Sequence, residues 1–360
     1  MKRIILTAIA ASFISAPAFA GSWLVCNGSE RITWGGNSTT ARINTISYPP
    51  GSVLQTAQRG IDITNTNPSR FTINRTTESG NVGRGNGQNE IYASDIDPPG
   101  VARMNYHCYW FFGTHSGLDE VDIVLDSGRS WTTTRNKASL NNYGGSGRPI
   151  EPVIVHEAGH YLGLMHVDWE YNVMGDSWRH HHTNGSTTRS YFGEDASHAA
   201  RVLYGTQNSH FEDVSVSHWR YTGSDGEYSN HDRTRARSSG GSILSGRTIN
   251  GEPGYRANRG QTIRLEFTIE NNGRSTVNNV DYGLYVSTND YISRYDRRVG
   301  GGSYNSIHPA DVATHQFTVT LPNDLQRGRA YWVGIIIDES NTVSEVSGWN
   351  NASYIPIWIN

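Results

Sequence analysis

The stretch His156-Glu157-Ala158-Gly159-His160-Tyr161-Leu162-Gly163-Leu164-Met165-His166 constrains this chain more than any other. His156 and His160 stand four residues apart, so on a helix both imidazoles rise from one face and point at one place. That supplies half a zinc site. Glu157 follows the first histidine, where its carboxylate reaches a water on the metal without binding the metal, the position of a general base. Gly163 can leave the helix with positive φ at no steric cost and turn the chain so that His166 reaches the same ion. Three neutral nitrogen ligands leave the fourth tetrahedral place for water, as a catalytic zinc requires and a structural zinc does not.

The pattern H-E-x-x-H-x-x-G-x-x-H fixes five positions, and Met174 follows in Tyr171-Asn172-Val173-Met174-Gly175-Asp176. On these residues the chain resembles the metzincin zinc metallopeptidases, and the matrixins among them. The resemblance implies an α+β catalytic domain with an α/β upper half, with one Zn2+ on His156, His160 and His166. It also implies Glu157 as the catalytic base and Met174 as an apolar floor under the imidazoles. A protein or peptide substrate would lie extended along an edge strand, held by main-chain hydrogen bonds. Some metzincins bring a tyrosine towards zinc two residues after the methionine. Here that position is Asp176, so the role is not carried over, and no matrixin structural-zinc segment is evident.

The chain begins with Lys2 and Arg3, an apolar run over 4–14 and the close Ala18-Phe19-Ala20. This reads as a bacterial-type signal peptide over 1–20, cleaved after Ala20, and the mature protein is expected to be secreted. No later stretch approaches the roughly 18 apolar residues of a membrane span. A formal net charge of −3 makes no case for nucleic acid or membrane partners. Of two cysteines, Cys26 and Cys108, an exported chain is expected to make one disulfide. The rival reading, Cys26 as a thiolate plugging the zinc, lacks the surroundings of the matrixin cysteine switch.

The catalytic domain is expected over 21–206. Val53, Leu54, Ala57 and Ile61 predict a helix over 52–63, and strand-like stretches appear at 41–48, 70–75 and 121–125. The Gly-, Asn- and Asp-rich stretch 81–99 has two readings: a loop of hard oxygen ligands for Ca2+, or a solvated turn-rich loop. Its spacing matches no EF-hand, and the second is the expectation. His180-His181-His182 has no carboxylate partner and is expected in a solvated loop. Asp168 and Glu170 either tune a ligand or face water. Residues 191–205, acidic at the start and ending in Gly205, resemble the closing helix of matrixin catalytic domains.

From 207 to 250 the periodicity fades and Ser, Gly, Asp and Arg accumulate, which reads as a linker or irregular extension. Over 251–360 the period becomes two. Ile263, Leu265, Phe267 and Ile269 alternate with polar neighbours, and so do Phe317, Val319 and Leu321, which argues for an all-β Ig-like sandwich. Asn271-Asn272-Gly273, Asp338-Glu339-Ser340-Asn341 and Trp349-Asn350-Asn351 resemble the bacterial cell-adhesion-related (CARDB-like) domains. Such a domain serves either as a spacer or as an anchor on a cell surface or glycoprotein. The whole reads as a secreted zinc metalloendopeptidase. The alternative is a non-catalytic adhesin or glycoprotein-binding protein that keeps the metzincin domain as scaffold, and an intact Glu157 favours the enzyme.

Overall fold

The computed structural model describes residues 21–108, 116–167, 172–175, 180–209, 211–221 and 232–360. The segment 1–20, expected to be a signal peptide, and the positions Asp168, Glu170 and Asp176 lie outside these. A five-stranded sheet is made by β1 (Ser38–Asn44), β2 (Thr72–Glu78), β3 (Asn89–Ser94), β4 (Gly100–His107) and β5 (Gly117–Asp126), in the order β2-β1-β3-β5-β4. All neighbours run parallel except β4, which is antiparallel to β5 and forms an edge. Parallel pairing buries a strand on both faces, and in β5 Val121, Ile123, Val124 and Leu125 are all fully buried.

Helix α1 (Ser52–Thr64) is the crossover from β1 to β2, and it buries Leu54, Ala57 and Ile61, as their spacing predicts. Helix α2 (Glu151–Tyr161) takes Pro152 in its first turn, where a missing N–H costs nothing, and packs on α1. Its Ala158, Tyr161 and Leu162 enter the same core as β5. Each such aliphatic or aromatic side chain contributes about 1.5–3 kcal/mol by leaving water. A short hairpin, β6 (His182–Thr183) and β7 (Thr188–Arg189), precedes α3 (Glu194–Tyr204). Helix α3 carries Glu194 and Asp195 in its first turn and ends at Gly205. A disulfide joins Cys26 to Cys108, just beyond the end of β4.

The rest is two facing sheets. The first holds β8 (Val214–Ser217), β9 (Ala236–Ser238), β12 (Thr262–Asn271) and β15 (Val312–Thr320); β8 and β9 pair along one side of β12 and β15 along the other. The second, in spatial order, is β10 (Gly246–Ile249), β11 (Glu252–Ala257), β17 (Ala352–Ile359), β16 (Arg329–Ile337), β13 (Val277–Ser287) and β14 (Arg297–Ile307). Between them lie Ile263, Leu265, Phe267 and Ile269 from β12 and Val333, Ile335 and Ile337 from β16. The expected linker over 207–250 is corrected here: β8, β9 and β10 come from it. Their periodicity is faint because β8 and β9 are two short pieces sharing one partner strand, too brief to show alternation.

The two halves meet over a polar seam. Lys137 Nζ donates to Glu252 Oε1 at 2.7 Å, to Tyr354 Oη at 2.6 Å and to Asp290 Oδ2. Asn184 is bound to Ile292 at both ends of its amide, at 2.9 and 2.7 Å. Tyr191 Oη donates to Glu270 Oε1 at 3.1 Å. Lys137 and Glu252 are both buried, so removing the cation strands a carboxylate that Arg233, at 3.3 Å, only partly compensates. Lys137→Met is expected to destabilise the full chain by about 3 kcal/mol, read as an earlier midpoint in urea. An unshifted midpoint would show that the seam does not depend on this cation.

Candidate metal centre

His156 and His160 leave α2 from one face, and the helix stops one residue after His160, at Tyr161. Gly163, at φ 78°, makes the turn that a residue with a Cβ would resist. The chain then doubles back to His166. One nitrogen from each of the three imidazoles lies within 4.8 Å of the others. His156 Nε2 stands 3.1 Å from His166 Nε2, close to the roughly 3.3 Å edge of a tetrahedron with zinc–nitrogen bonds near 2.05 Å. His160 is buried, His156 half-buried and His166 exposed, so the site opens to solvent on one side.

The other ring nitrogens explain why the imidazoles converge. His156 Nδ1 donates to the Val173 carbonyl at 2.7 Å, and His160 Nδ1 to the Leu164 carbonyl at 2.6 Å. A neutral ring protonated at Nδ1 carries its lone pair on Nε2, the atom a metal needs. Burial keeps these rings neutral: it lowers His156 to about 4, with the nearby His166 adding to the effect, and holds His160 well below its ordinary value. Neutral nitrogen donors with a lone pair facing a shared point fit a zinc ion.

The loop that carries Val173 is itself fixed. Val167 N donates to the Met174 carbonyl at 3.0 Å, and Asn172 Nδ2 donates to the Val167 carbonyl at 3.1 Å. Met174 is fully buried, and its Sδ would lie 2.3 Å from a Cβ added at Gly159. Met174 thus packs on α2 at a glycine between the two helical histidines. On the far side, Met165 N donates to the Ser22 carbonyl at 2.9 Å and Leu24 N to the Gly163 carbonyl at 3.1 Å. The N-terminal segment therefore braces the turn to His166.

Glu157 points from α2 towards the edge strand. Its Oε1 lies against the backbone of Gly100, and the carboxylate accepts the N–H of Ala102. Burial raises its carboxyl to about 8, against the Ala102 hydrogen bond that lowers it. A dication beside it favours the ionised form. The contribution of β4 and of the Val173 and Leu164 carbonyls is not readable from residue type, since main-chain groups carry it. Only their position next to the motif hints at it.

His180, His181 and His182 correct an expectation. They are 1, 2 and 2% exposed, not solvated. His180 lies 4.5 Å from Tyr191, His181 5.4 Å from Tyr143 and 6.3 Å from Trp219, and His182 5.5 Å from Trp349, ring centre to ring centre. The cover comes partly from the second half of the chain, which a local reading does not see. They are not part of the His156 cluster. In the stretch 81–99, residues 84–88 are the exposed turn-rich loop expected, but Asn89–Ser94 is strand β3. Gly85 N and Gly87 N donate to the Glu120 carboxylate, the latter at 2.6 Å, and Gly83 N to Glu90 at 2.8 Å. Those oxygens serve the loop's own N–H groups.

Residues 107–205 match the family model of the matrixins, described as Matrixin, and residues 248–354 match the model described as CARDB. The chain thus carries a region similar to the matrixins ahead of one similar to CARDB domains, each match covering less than half of the chain. No curated protein matches the chain. Among solved structures, a CARDB domain from Pyrococcus furiosus in complex with di-metal ions is 15% identical, covering 43% of this chain and 94% of its own, with a TM-score of 0.27. An AA10 lytic polysaccharide monooxygenase from Streptomyces lividans is 20% identical over 31% of this chain and 64% of its own, with a TM-score of 0.22. At such scores these likenesses assign nothing to this chain. No helix among the described residues is long and apolar enough to cross a membrane.

Two outcomes are expected. Gly159→Ala should push Met174 and the Val173 carbonyl away from α2 and weaken zinc binding about tenfold or more in competition with a chromophoric chelator. Unchanged affinity would mean that the methionine contact does not position the ligands. The second concerns His182, which burial lowers from 6.5 to about 4, while the backbones of Ala352 and Val216 oppose the shift. Its folded form stays neutral while the unfolded chain protonates, so stability is lost as pH falls from 6.5 towards 4. The stability gap between the wild type and His182→Gln should narrow over that interval in urea titrations; a constant gap rejects the assignment.

Proposed function

We propose that the chain is a secreted zinc-dependent metalloendopeptidase that cleaves extracellular proteins, with a metzincin-like catalytic domain and the CARDB sandwich behind it. The observation that carries this reading is the convergence of three imidazoles, two of them with their outer nitrogens tied to the main chain, beside a buried carboxylate that faces an edge strand. His156, His160 and His166 would hold the ion. When bound, zinc supplies Lewis-acid polarisation of the scissile carbonyl and lowers the pKa of water in its open place. Glu157 Oε accepts the proton of the attacking water and returns it to the departing amine. The free edge of β4 pairs with an extended substrate main chain, which orients the scissile bond over Glu157. Glu157 does nothing for a scaffold, and its carboxylate against β4 therefore argues against an adhesin that keeps only the histidines.

Secretion rests on the signal-peptide pattern, the disulfide and one further contact. Gly21 N donates to Asp195 Oδ1 at the start of α3. Cleavage after Ala20 would turn that N–H into an ammonium facing a buried carboxylate, which braces the segment beside His166.

Hydrolysis of casein or gelatin by the purified protein, blocked by a chelator and restored by zinc, tests the activity. Glu157→Ala should keep one zinc per chain and lose roughly 10²–10⁴-fold in turnover. A zinc-replete wild type inert on a broad peptide library, or a Glu157→Ala variant that turns over normally, sinks the reading.

A further inference from the structure

Where the segment after α3 enters the sandwich, a knot of buried oxygens has no donors. Asp213, just before β8, is 6% exposed, and Asn272 and Asn350 are 4 and 1% exposed. Asp213 Oδ2 accepts Nδ2 of Asn272 at 2.7 Å and Nδ2 of Asn350 at 3.0 Å. The remaining oxygens, Asp213 Oδ1, Asn272 Oδ1 and Asn350 Oδ1, are buried and have no hydrogen-bond partner. All three residues line one cavity of about 320 Å³ between the halves of the chain, with Tyr191, Phe192 and Trp349 also in its wall.

Two more carboxylates stand close by, Glu270 buried and Glu345 half-buried. Glu345 Oε1 accepts Val214 N at 2.9 Å and its Oε2 accepts Asn351 Nδ2. Glu270 accepts Tyr191 Oη at 3.1 Å and Ser215 Oγ at 3.2 Å. Among the described residues, no lysine or arginine pairs with Asp213, Glu270 or Glu345. Carboxylates brought this close without a cation are mutually unfavourable, and water in the cavity does not cancel like charge.

We propose that Asp213, Asn272 and Asn350, with Glu345 beside them, form a calcium site in this cavity, tying the segment after α3 to the sandwich. The donors are carboxylate and amide oxygens alone, with no nitrogen or sulfur, which selects a hard cation over zinc or copper. The amide nitrogens of Asn272 and Asn350 already turn to Asp213 Oδ2, at 2.7 and 3.0 Å, which leaves Asp213 Oδ1 and the two amide oxygens as the lone pairs open to a cation. The backbone holds the three segments in register, since Asn272 N donates to the Asp213 carbonyl at 2.8 Å and Val216 N to the Asn350 carbonyl at 3.0 Å. Burial, with neighbouring carboxylates adding to it, raises Asp213 to about 7 and Glu345 to about 8, and a cation beside them would favour the ionised forms. The proposal is independent of the zinc centre.

The test uses the full chain with Tb3+ as the calcium probe, since Trp349 in the cavity wall sensitises its emission. The wild type and His166→Ala should both give Tb3+ emission that saturates and is displaced by Ca2+, and Ca2+ should raise their unfolding temperature. Asp213→Asn should bind about tenfold more weakly or worse. Asn350→Asp adds a charge to the site, so its stabilisation by Ca2+ should exceed that of the wild type, which decides the matter if Asp213→Asn fails to fold. A wild type indifferent to both ions leaves only a water-filled cavity and overturns the proposal. So does emission that Asp213→Asn leaves intact, or an Asn350→Asp variant with no larger response to Ca2+.

Discussion

Two hydrogen bonds from imidazole to main chain hold this site together. By donating Nδ1 to the Val173 and Leu164 carbonyls, His156 and His160 each lose a rotation and a tautomer, and their Nε2 lone pairs are left aimed at one point. The carbonyl of Leu164 is available because Gly163 turns the chain immediately after α2. That of Val173 is available because Met174 packs on Gly159. Residues with no metal-binding chemistry thus set the geometry of those that have it, and a loosened loop would cost affinity before any ligand was lost.

The same dependence of chemistry on packing recurs at the seam between the halves. Strand β12 presents Glu266, Thr268 and Glu270 outward, where alternation predicts water, yet all three are buried. Strand β16 likewise buries Trp332 and Ile336 on the face away from the sandwich core. A sheet covered on both faces has an inside on each, and polar groups there must find partners. Glu270 finds Tyr191, and Lys137 finds Glu252 and Tyr354. Where partners run out, at Asp213, Asn272 and Asn350, the imbalance itself carries information.

Local pattern was most readable where one physical rule acted alone. Helical spacing placed α1 and the ligand face of α2, and a period of two found the inner faces of β12 and β15. Readability failed where cover arrived from afar. His180, His181 and His182 look like a polar loop, since nothing nearby in sequence announces Trp219 or Trp349. β8 and β9 looked like linker because four- and three-residue strands borrow their stability from β12.

By itself, then, the sequence determined the chemistry available: which side chains can bind a soft-to-borderline metal, which can move a proton, and that an α/β half precedes an all-β half. Those follow from residue type and from periods of 3.6 and 2, which are properties of a few neighbouring residues. Only the tertiary structure decided which nitrogen of each imidazole is free, which strand Glu157 faces, and that the polar run after the methionine is sealed beneath a second domain. These are matters of main-chain carbonyls and of surfaces more than a hundred residues apart, and no local pattern encodes a partner that folding alone brings near.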